Sequence, residues 1–306
     1  MRQIEPAKCR GKLKESYWDD NNNWVAEFKF DGTRYLMHIT HNGSRFTSRR
    51  QSVNGTGFVE KRNFPHLETV SFEDTVLDGE MVLNLFGSSY ESATITGSGR
   101  EVAILKQKEL GFIHYFCFDI LFFRGNDIRG LDYAKRKTIL DSVVKRIANP
   151  YLHYVKHYHI AKKDYYNSIV RKGGEGIVLK DIHSQYGERS KWVKIKKQET
   201  WDVFITGYLD PSQISEKVDG TFSITRYEEK GWIGSICIGQ IGLLDCGSVS
   251  GMSEEVRASM SADPQKYIGR VIEIEAQERL PSGRFRHPRF IRFRDDKSKG
   301  ECTYDK

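Results

Sequence analysis

Eight consecutive residues, Glu27, Phe28, Lys29, Phe30, Asp31, Gly32, Thr33 and Arg34, set a lysine between two phenylalanines and follow it with a carboxylate, a glycine and an arginine. A lysine amine is a poor nucleophile while protonated, and its unperturbed pKa is ~10.4. Apolar or cationic surroundings are what make it reactive. In a strand, Lys29 and Asp31 share a face because side chains alternate. Gly32 frees the backbone to turn or to approach a ligand closely, and Arg34 offers a planar fork of donors suited to phosphate. The chemistry this permits is attack by the lysine on an electrophile, phosphorus above all. The same stretch also reads as a plain hairpin, a strand followed by an Asp31-Gly32 turn and a second strand Arg34–Ile39, since Asp-Gly is a strong hairpin signal.

Four further groupings bear on that choice. Asp78, Gly79 and Glu80 put two carboxylates on one strand face, which suits a hard cation such as Mg²⁺ or a solvent-facing turn. Glu175 and Lys180 bracket an apolar run that follows Gly173 and Gly174. An odd spacing points them to opposite faces of an ideal strand, so either Glu175 lies at the glycine-rich start of the strand or only one of the two faces the site. From Lys191 to Lys197 the pattern alternates, with Lys194 and Lys196 on one face and Val193 and Ile195 on the other. Side-by-side lysines repel unless an anion lies between them. From Arg284 to Lys299, Arg284, Arg286, Arg289, Arg292, Arg294, Lys297 and Lys299 interleave with Phe285, Phe290 and Phe293, a density that suits phosphate on an ordered strand. Phe116, Phe118, Phe122 and Phe123 read as core, with one able to stack on a purine. Together these are what nucleotidyl transfer through a lysine–nucleotide phosphoramidate requires. The lysine attacks the α-phosphorus, a metal and cations stabilise the developing charge, and pyrophosphate leaves.

The elements that must position these groups follow from patterning. The chain has 306 residues and a net charge of +7, enough for one large domain or two ordinary ones, with a basic excess that fits a polyanionic partner. Its five cysteines, Cys9, Cys117, Cys237, Cys246 and Cys302, show no metal-ligand spacing, which points to a reducing compartment. Met1 to Ser16 lacks the apolar core of a signal peptide, and no run approaches the ~20 apolar residues that span a bilayer. The expectation is a cytoplasmic protein (host cytoplasm if viral or phage), monomeric and without a membrane partner. Strands are expected over Trp24–Phe30, Arg34–Ile39, Arg45–Arg50, Thr75–Leu85, Ile113–Phe123, Gly176–Lys180 and Lys191–Lys196. Helices are expected over Tyr133–Ile147, from the apolar face Ile139, Leu140, Val143, Val144 and Ile147, and over Asp164–Arg171. Residues 87–100, rich in Gly, Ser and Thr, read as a mobile loop. From Asp202 onward, short strands (Val203–Tyr208, Thr221–Tyr227, Trp232–Ile238, Val271–Gln277) and one helix near Glu254–Met260 suggest a small barrel such as an OB-fold.

In order along the chain, the motifs resemble those of the ATP-dependent DNA ligases, within the covalent nucleotidyltransferase superfamily. Lys29–Arg34 resembles the nucleophile motif, Ser48-Arg49 the next element, Leu77–Glu80 the one after, and Phe118-Asp119 the aromatic–Asp motif. Glu175–Lys180 and Lys194–Lys196 match the fourth and fifth. Arg286–Lys297 looks like the ligase C-terminal motif, with His287 where phenylalanine is common. The resemblance implies an α+β fold: a nucleotidyltransferase (adenylation) domain of antiparallel sheets with flanking helices over residues 1–199, then an OB-fold β-barrel over 200–306. It implies ATP with Mg²⁺ (or Mn²⁺), and nicked duplex DNA as partner. Lys29 would be the adenylylated nucleophile. Glu27 and Phe118 would contact adenine, Arg34 and Glu80 the ribose. Glu80 and Glu175 would support metal binding. Lys194 and Lys196 would contact the α-phosphate, and Lys180, in the fourth motif, belongs to the same nucleotide pocket. Arg49 would hold the nick 5′-phosphate, and Asp31 would serve the later steps. Arg292, Arg294, Asp296 and Lys297 would act in the first step. With Lys29 so early, the resemblance implies a minimal two-domain ligase, and the polar segment 210–220 is a candidate DNA latch. RNA-capping guanylyltransferases and RNA ligases share the lysine motif and differ in nucleotide or substrate. A non-catalytic OB-fold protein that binds nucleic acid is the remaining alternative.

Overall fold

The computed structural model describes residues 3–52, 57–87, 89–187, 190–211, 215–216, 222–223 and 226–304. Of the latch candidate 210–220, residues 212–214 and 217–220 lie outside that set, and of the remainder only Ser215–Glu216 forms a strand. The chain divides into two compact units, Met1–Lys197 and Gln198–Lys306. Among the described residues no helix is long and apolar enough to cross a membrane.

In the first unit the strands are β1 Trp24–Lys29, β2 Thr33–Thr40, β3 Gly43–Gln51, β4 Phe58–Lys61, β5 Thr75–Val82, β6 His114–Phe123, β7 Asn126–Asp127, β8 Leu152–Tyr154, β9 His157–Tyr158, β10 Gly176–Asp181 and β11 Trp192–Lys196. The helices are α1 Pro65–Glu68, α2 Ser89–Thr96, α3 Arg100–Leu110, α4 Tyr133–Ile147 and α5 Lys162–Arg171. One sheet runs β11-β10-β1-β9 and a larger one β4-β3-β2-β5-β6-β7, with β8 parallel to β6. The outer face of the larger sheet packs on α4 through Leu140, Val143 and Val144, together with Phe46, Leu77, Tyr115 and Ile120. The smaller sheet buries Ala26, Ile177, Leu179 and Val193 with Trp18, Trp24 and Ile169 of α5.

Three expectations change, one of them in the second unit, where the strand expected over Thr221–Tyr227 is a strand at Phe222–Ser223 and a helix at Arg226–Glu229 among the described residues. Asp31-Gly32 is not a hairpin turn. β1 pairs with β10 and β9, whereas β2 pairs with β3 and β5, so the chain crosses between sheets there. Gly32 makes that crossing possible, since a Cβ would meet the Met81 carbonyl oxygen at 2.2 Å. The loop expected at 87–100 contains α2. Its residues are weak helix formers, but Ile95 is fully buried, Ser92 Oγ accepts from Leu83 N at 3.0 Å and Thr96 Oγ1 meets Thr33 Oγ1 at 2.9 Å. Tertiary contacts thus outweigh propensity.

The second unit is the OB-fold. Its strands are β12 Glu199–Leu209, β13 Ser215–Glu216, β14 Phe222–Ser223, β15 Ser235–Gly239, β16 Ser248–Val249, β17 Val271–Ala276, β18 Glu278–Arg279, β19 Phe285–Arg286 and β20 Arg289–Phe293, with helices α6 Arg226–Glu229 and α7 Glu254–Ala262. Five strands form an antiparallel sheet, β16-β15-β12-β17-β20. Val203, Ile205, Ile236, Ile238, Ile272 and Ile274 form its core with Met260 of α7. Ser253 caps α7, its Oγ accepting from Val256 N, as side chains with a short oxygen do at helix N-termini. The fold class is therefore α+β, as the sequence implies.

Candidate active site

The inner faces of the two sheets of the first unit enclose a cavity of about 420 Å³, within the usual range for a small-molecule site. β1 contributes Glu27 and Lys29, β10 contributes Val178 and Lys180, and β11 contributes Trp192, Lys194 and Lys196. Arg34, Arg49, Glu80 and Phe118 enter from the larger sheet. Strand register explains the grouping. Lys29 and Lys196 both lie opposite Gly176, and Glu27 and Lys194 both lie opposite Val178. Asp31 is half-buried in the crossing from β1 to β2, outside the lining of this cavity.

One carboxylate organises the lysines. Glu175 Oε2 accepts from Lys29 Nζ and its Oε1 pairs with Lys196 Nζ, each at 2.6 Å. Glu175 sits just ahead of β10, at the glycine-rich start of the strand, so its odd spacing from Lys180 is no obstacle. Gly176 has φ of 144° and a Cβ there would lie 2.0 Å from the Ile195 carbonyl oxygen, so only glycine fits. Two ammoniums on one carboxylate leave a net positive charge, which Lys194, exposed on the same face, increases. That is an anion site with an amine in it.

Glu27 is spent differently. Only 1% exposed, it receives Lys137 Nζ at 2.7 Å, Lys180 Nζ at 2.5 Å and the Tyr133 hydroxyl. Burial pushes its carboxyl up, but the Lys137 and Lys180 ammoniums outweigh burial and hold it below its ordinary value. Lys180 also lies over the rings of Trp192 and Phe118, at 4.1 and 4.7 Å from their centroids, as a desolvated cation over aromatic faces does. Glu27 thus reaches the cavity as part of a built wall.

Arg34 is pinned as well. Its Nε donates to Asp78 Oδ1 at 2.8 Å and Nη2 to Oδ2 at 2.5 Å, while Nη1 donates to the Ala7 carbonyl at 2.6 Å. Tyr186 also donates to Asp78 at 2.6 Å. Asp78 is fully buried in this network, which removes it from the paired-carboxylate metal site that Asp78-Gly79-Glu80 suggested. Glu80 faces the cavity alone. Burial pushes its carboxyl up to about 7, against the pull of Lys29, Arg34 and Arg49. Among the described residues no cluster of three or more His, Cys, Asp or Glu forms a metal cage. Mg²⁺ needs none, because it takes one or two carboxylates and completes its shell with phosphate and water oxygens. Glu80 fits that demand, and Glu175 fits it by releasing a lysine.

In the second unit, Arg294 and Lys297 converge on Asp202 of β12. Arg294 Nη1 donates to Asp202 Oδ1 at 2.9 Å and Lys297 Nζ to Oδ2 at 2.5 Å. Asp296 takes Arg294 from the other side at 2.9 and 2.8 Å, and Arg294 holds its carboxyl down at about 2. Arg292 pairs with Glu273 at 2.6 Å, its register partner across β17 and β20.

Sequence reasoning missed Tyr133, Lys137 and Asp202. The first two lie on the buried side of α4, where apolar spacing gives no hint of polar contacts. Asp202 immediately precedes the apolar run Val203–Ile205, and its partner Arg294 lies 92 positions later in the chain. Asp119, part of the aromatic–Asp motif, is structural: it accepts two bonds from Arg136 at 2.8 and 3.0 Å, and neither side chain is exposed.

The family model for the ATP dependent DNA ligase domain matches residues 8–196. A DNA ligase of Methanocorpusculum labreanum is 28% identical over 292 residues, covering 90% of this chain and 53% of that protein. The SPbeta prophage-derived DNA ligase-like protein LigB of Bacillus subtilis is 28% identical over 200 residues, covering 64% of this chain and 68% of that protein. The chain therefore spans about half the length of the first and two thirds of the second. Among solved structures, a Lig E DNA ligase superposes with a TM-score of 0.69 at 18% identity, over 95% of this chain and all of that one. The ligase domain of Mycobacterium tuberculosis LigD gives 0.51 at 22% identity, over 99% and 98%. Both structures share the fold.

Proposed function

The chain belongs to the ATP-dependent DNA ligase family, and from that premise we propose that it seals 5′-phosphate/3′-hydroxyl nicks in duplex DNA, through a lysine–AMP intermediate and an adenylylated DNA intermediate. The observation that carries this reading is the pairing on Glu175 of Lys29 and Lys196, both of which line a nucleotide-sized cavity. In the first step Lys29 Nζ, having lost its proton, forms a bond to the α-phosphorus of ATP, and the bond to the pyrophosphate oxygen breaks. Lys194 and Lys196 face the α-phosphate and stabilise its charge. Adenine lies against Phe118 beside the wall made by Glu27 and Lys180. Arg34, fixed by Asp78, and Glu80 take the ribose.

Glu80, with Glu175, would hold Mg²⁺ or Mn²⁺, which when bound neutralises phosphate oxygens. Arg292, Arg294, Asp296 and Lys297 orient the departing pyrophosphate, with Asp202 keeping Arg294 and Lys297 together. Arg49 receives the 5′-phosphate of the nick, and Asp31 serves the two later steps, in which AMP passes to that phosphate and the 3′-hydroxyl displaces it. The domains proposed are 1–199 for adenylation and 200–306 for the OB-fold. The test is sealing of a singly nicked, 5′-phosphorylated duplex with ATP and Mg²⁺. Wild type is expected to seal and Lys29→Ala to seal none. Absence of sealing by a wild type that still becomes covalently labelled would move the assignment to RNA ligation or capping.

A further inference from the structure

The segment that leads into the first sheet carries Lys8, Arg10, Lys12 and Lys14 at every second position, with Cys9, Gly11 and Leu13 between them. It has no regular secondary structure, yet it is anchored. Ile4 and Ala7 are buried against Leu36, Val76, Tyr186 and Trp192. Arg34 donates to the Ala7 carbonyl at 2.6 Å, Ala7 N donates to the Tyr186 hydroxyl at 3.0 Å, and Gly11 N donates to the Trp192 carbonyl of β11 at 3.1 Å. β11 is the outermost strand of its sheet, so the segment straps that edge.

All four cations are exposed. Lys8 pairs with Glu5 at 2.5 Å, whereas Arg10, Lys12 and Lys14 have no ion pair among the described residues. Lys8 and Cys9 line the nucleotide cavity beside Lys194 and Lys196, so the strap carries a net positive charge outward from the place where a 5′-phosphate must be presented. Ordering a chain segment costs roughly 1–2 kcal/mol per residue, and here the ordered segment holds like charges near one another, which repel. A polyanion laid along it removes that repulsion.

We infer that the strap is a DNA-binding element: Arg10, Lys12 and Lys14 bind the phosphate backbone of the duplex next to the nick. The inference rests on the proposed ligase function for its choice of polyanion. The contacts are to phosphates and not to base edges, so they position the duplex without reading its sequence.

The experiment is binding of a fluorescent nicked duplex across a salt series, which needs no catalysis, with uptake of AMP from ATP measured on the same preparations. In the triple variant Arg10→Gln, Lys12→Gln, Lys14→Gln, the slope of log affinity against log salt should shrink by roughly 2–3, at about 0.9 per phosphate contact, and affinity at 0.1 M salt should fall more than about tenfold. Each single substitution should shrink the slope by about 1. AMP uptake should be unchanged, because none of the three lines the cavity. A control variant, Lys108→Gln, Lys135→Gln, Lys145→Gln, loses the same charge from exposed sites on α3 and α4 and should bind as wild type does. A wild-type slope and affinity in the strap variant would overturn the inference, as would an equal loss in the control. Failure of the ligase reading shows separately, as a wild type that takes up no AMP.

Discussion

At the scale of single residues, Glu175 holds both the proposed nucleophile and a second lysine. Glu175→Gln keeps the shape and removes the charge, leaving Lys29 and Lys196 to repel each other. The expected result is a fall in single-turnover AMP uptake of roughly 10²-fold, the scale for losing one preorganised electrostatic partner, with the fold retained by circular dichroism. Glu80 sets a pH dependence. Its carboxyl is pushed up by burial to about 7, and a metal needs the carboxylate, so AMP uptake should rise as pH increases through about 7. The stability contribution has the opposite sign. The folded protein holds this proton more tightly than the unfolded chain does, so stability contributed by Glu80 is present at low pH and declines as pH rises from the ordinary carboxylate range to about 7. Glu80→Gln should flatten that decline in denaturant melts.

At the scale of elements, β1 crossing from one sheet to the other places Lys29 and Arg34 on facing walls of one cavity, and β12 supplies Asp202 to the C-terminal cations. Asp202→Asn should lower AMP uptake while leaving the sealing of pre-adenylylated nicked DNA near wild type. An equal loss in both assays would assign Asp202 a purely structural role. The α4–β6 contact makes a stability prediction. Asp119→Ala leaves Arg136 buried without its carboxylate and should destabilise the protein by about 3–5 kcal/mol, measured by denaturant unfolding. These elements also show how far the sequence could be read. The helix Tyr133–Ile147 was legible because its apolar residues repeat at helical spacing, and the strands of the site because they alternate. The Asp31-Gly32 crossing was not, since local turn chemistry cannot say which sheet the next strand joins. Nor was α2, whose Ser- and Thr-rich sequence becomes helical through contacts made by Ser92, Ile95 and Thr96. Asp78 resembled a metal ligand until its partner Arg34, 44 positions earlier in sequence, was placed beside it.

At the scale of the whole molecule, a basic chain of two compact units is proposed to perform nucleotidyl transfer through one lysine. The most direct measurement incubates the full chain with ATP and Mg²⁺ and maps the AMP adduct by peptide mass spectrometry. One modified residue is expected, Lys29, with labelling from ATP and not GTP, and no adduct in Lys29→Ala. An adduct on another lysine, or labelling from GTP alone, would contradict the proposal.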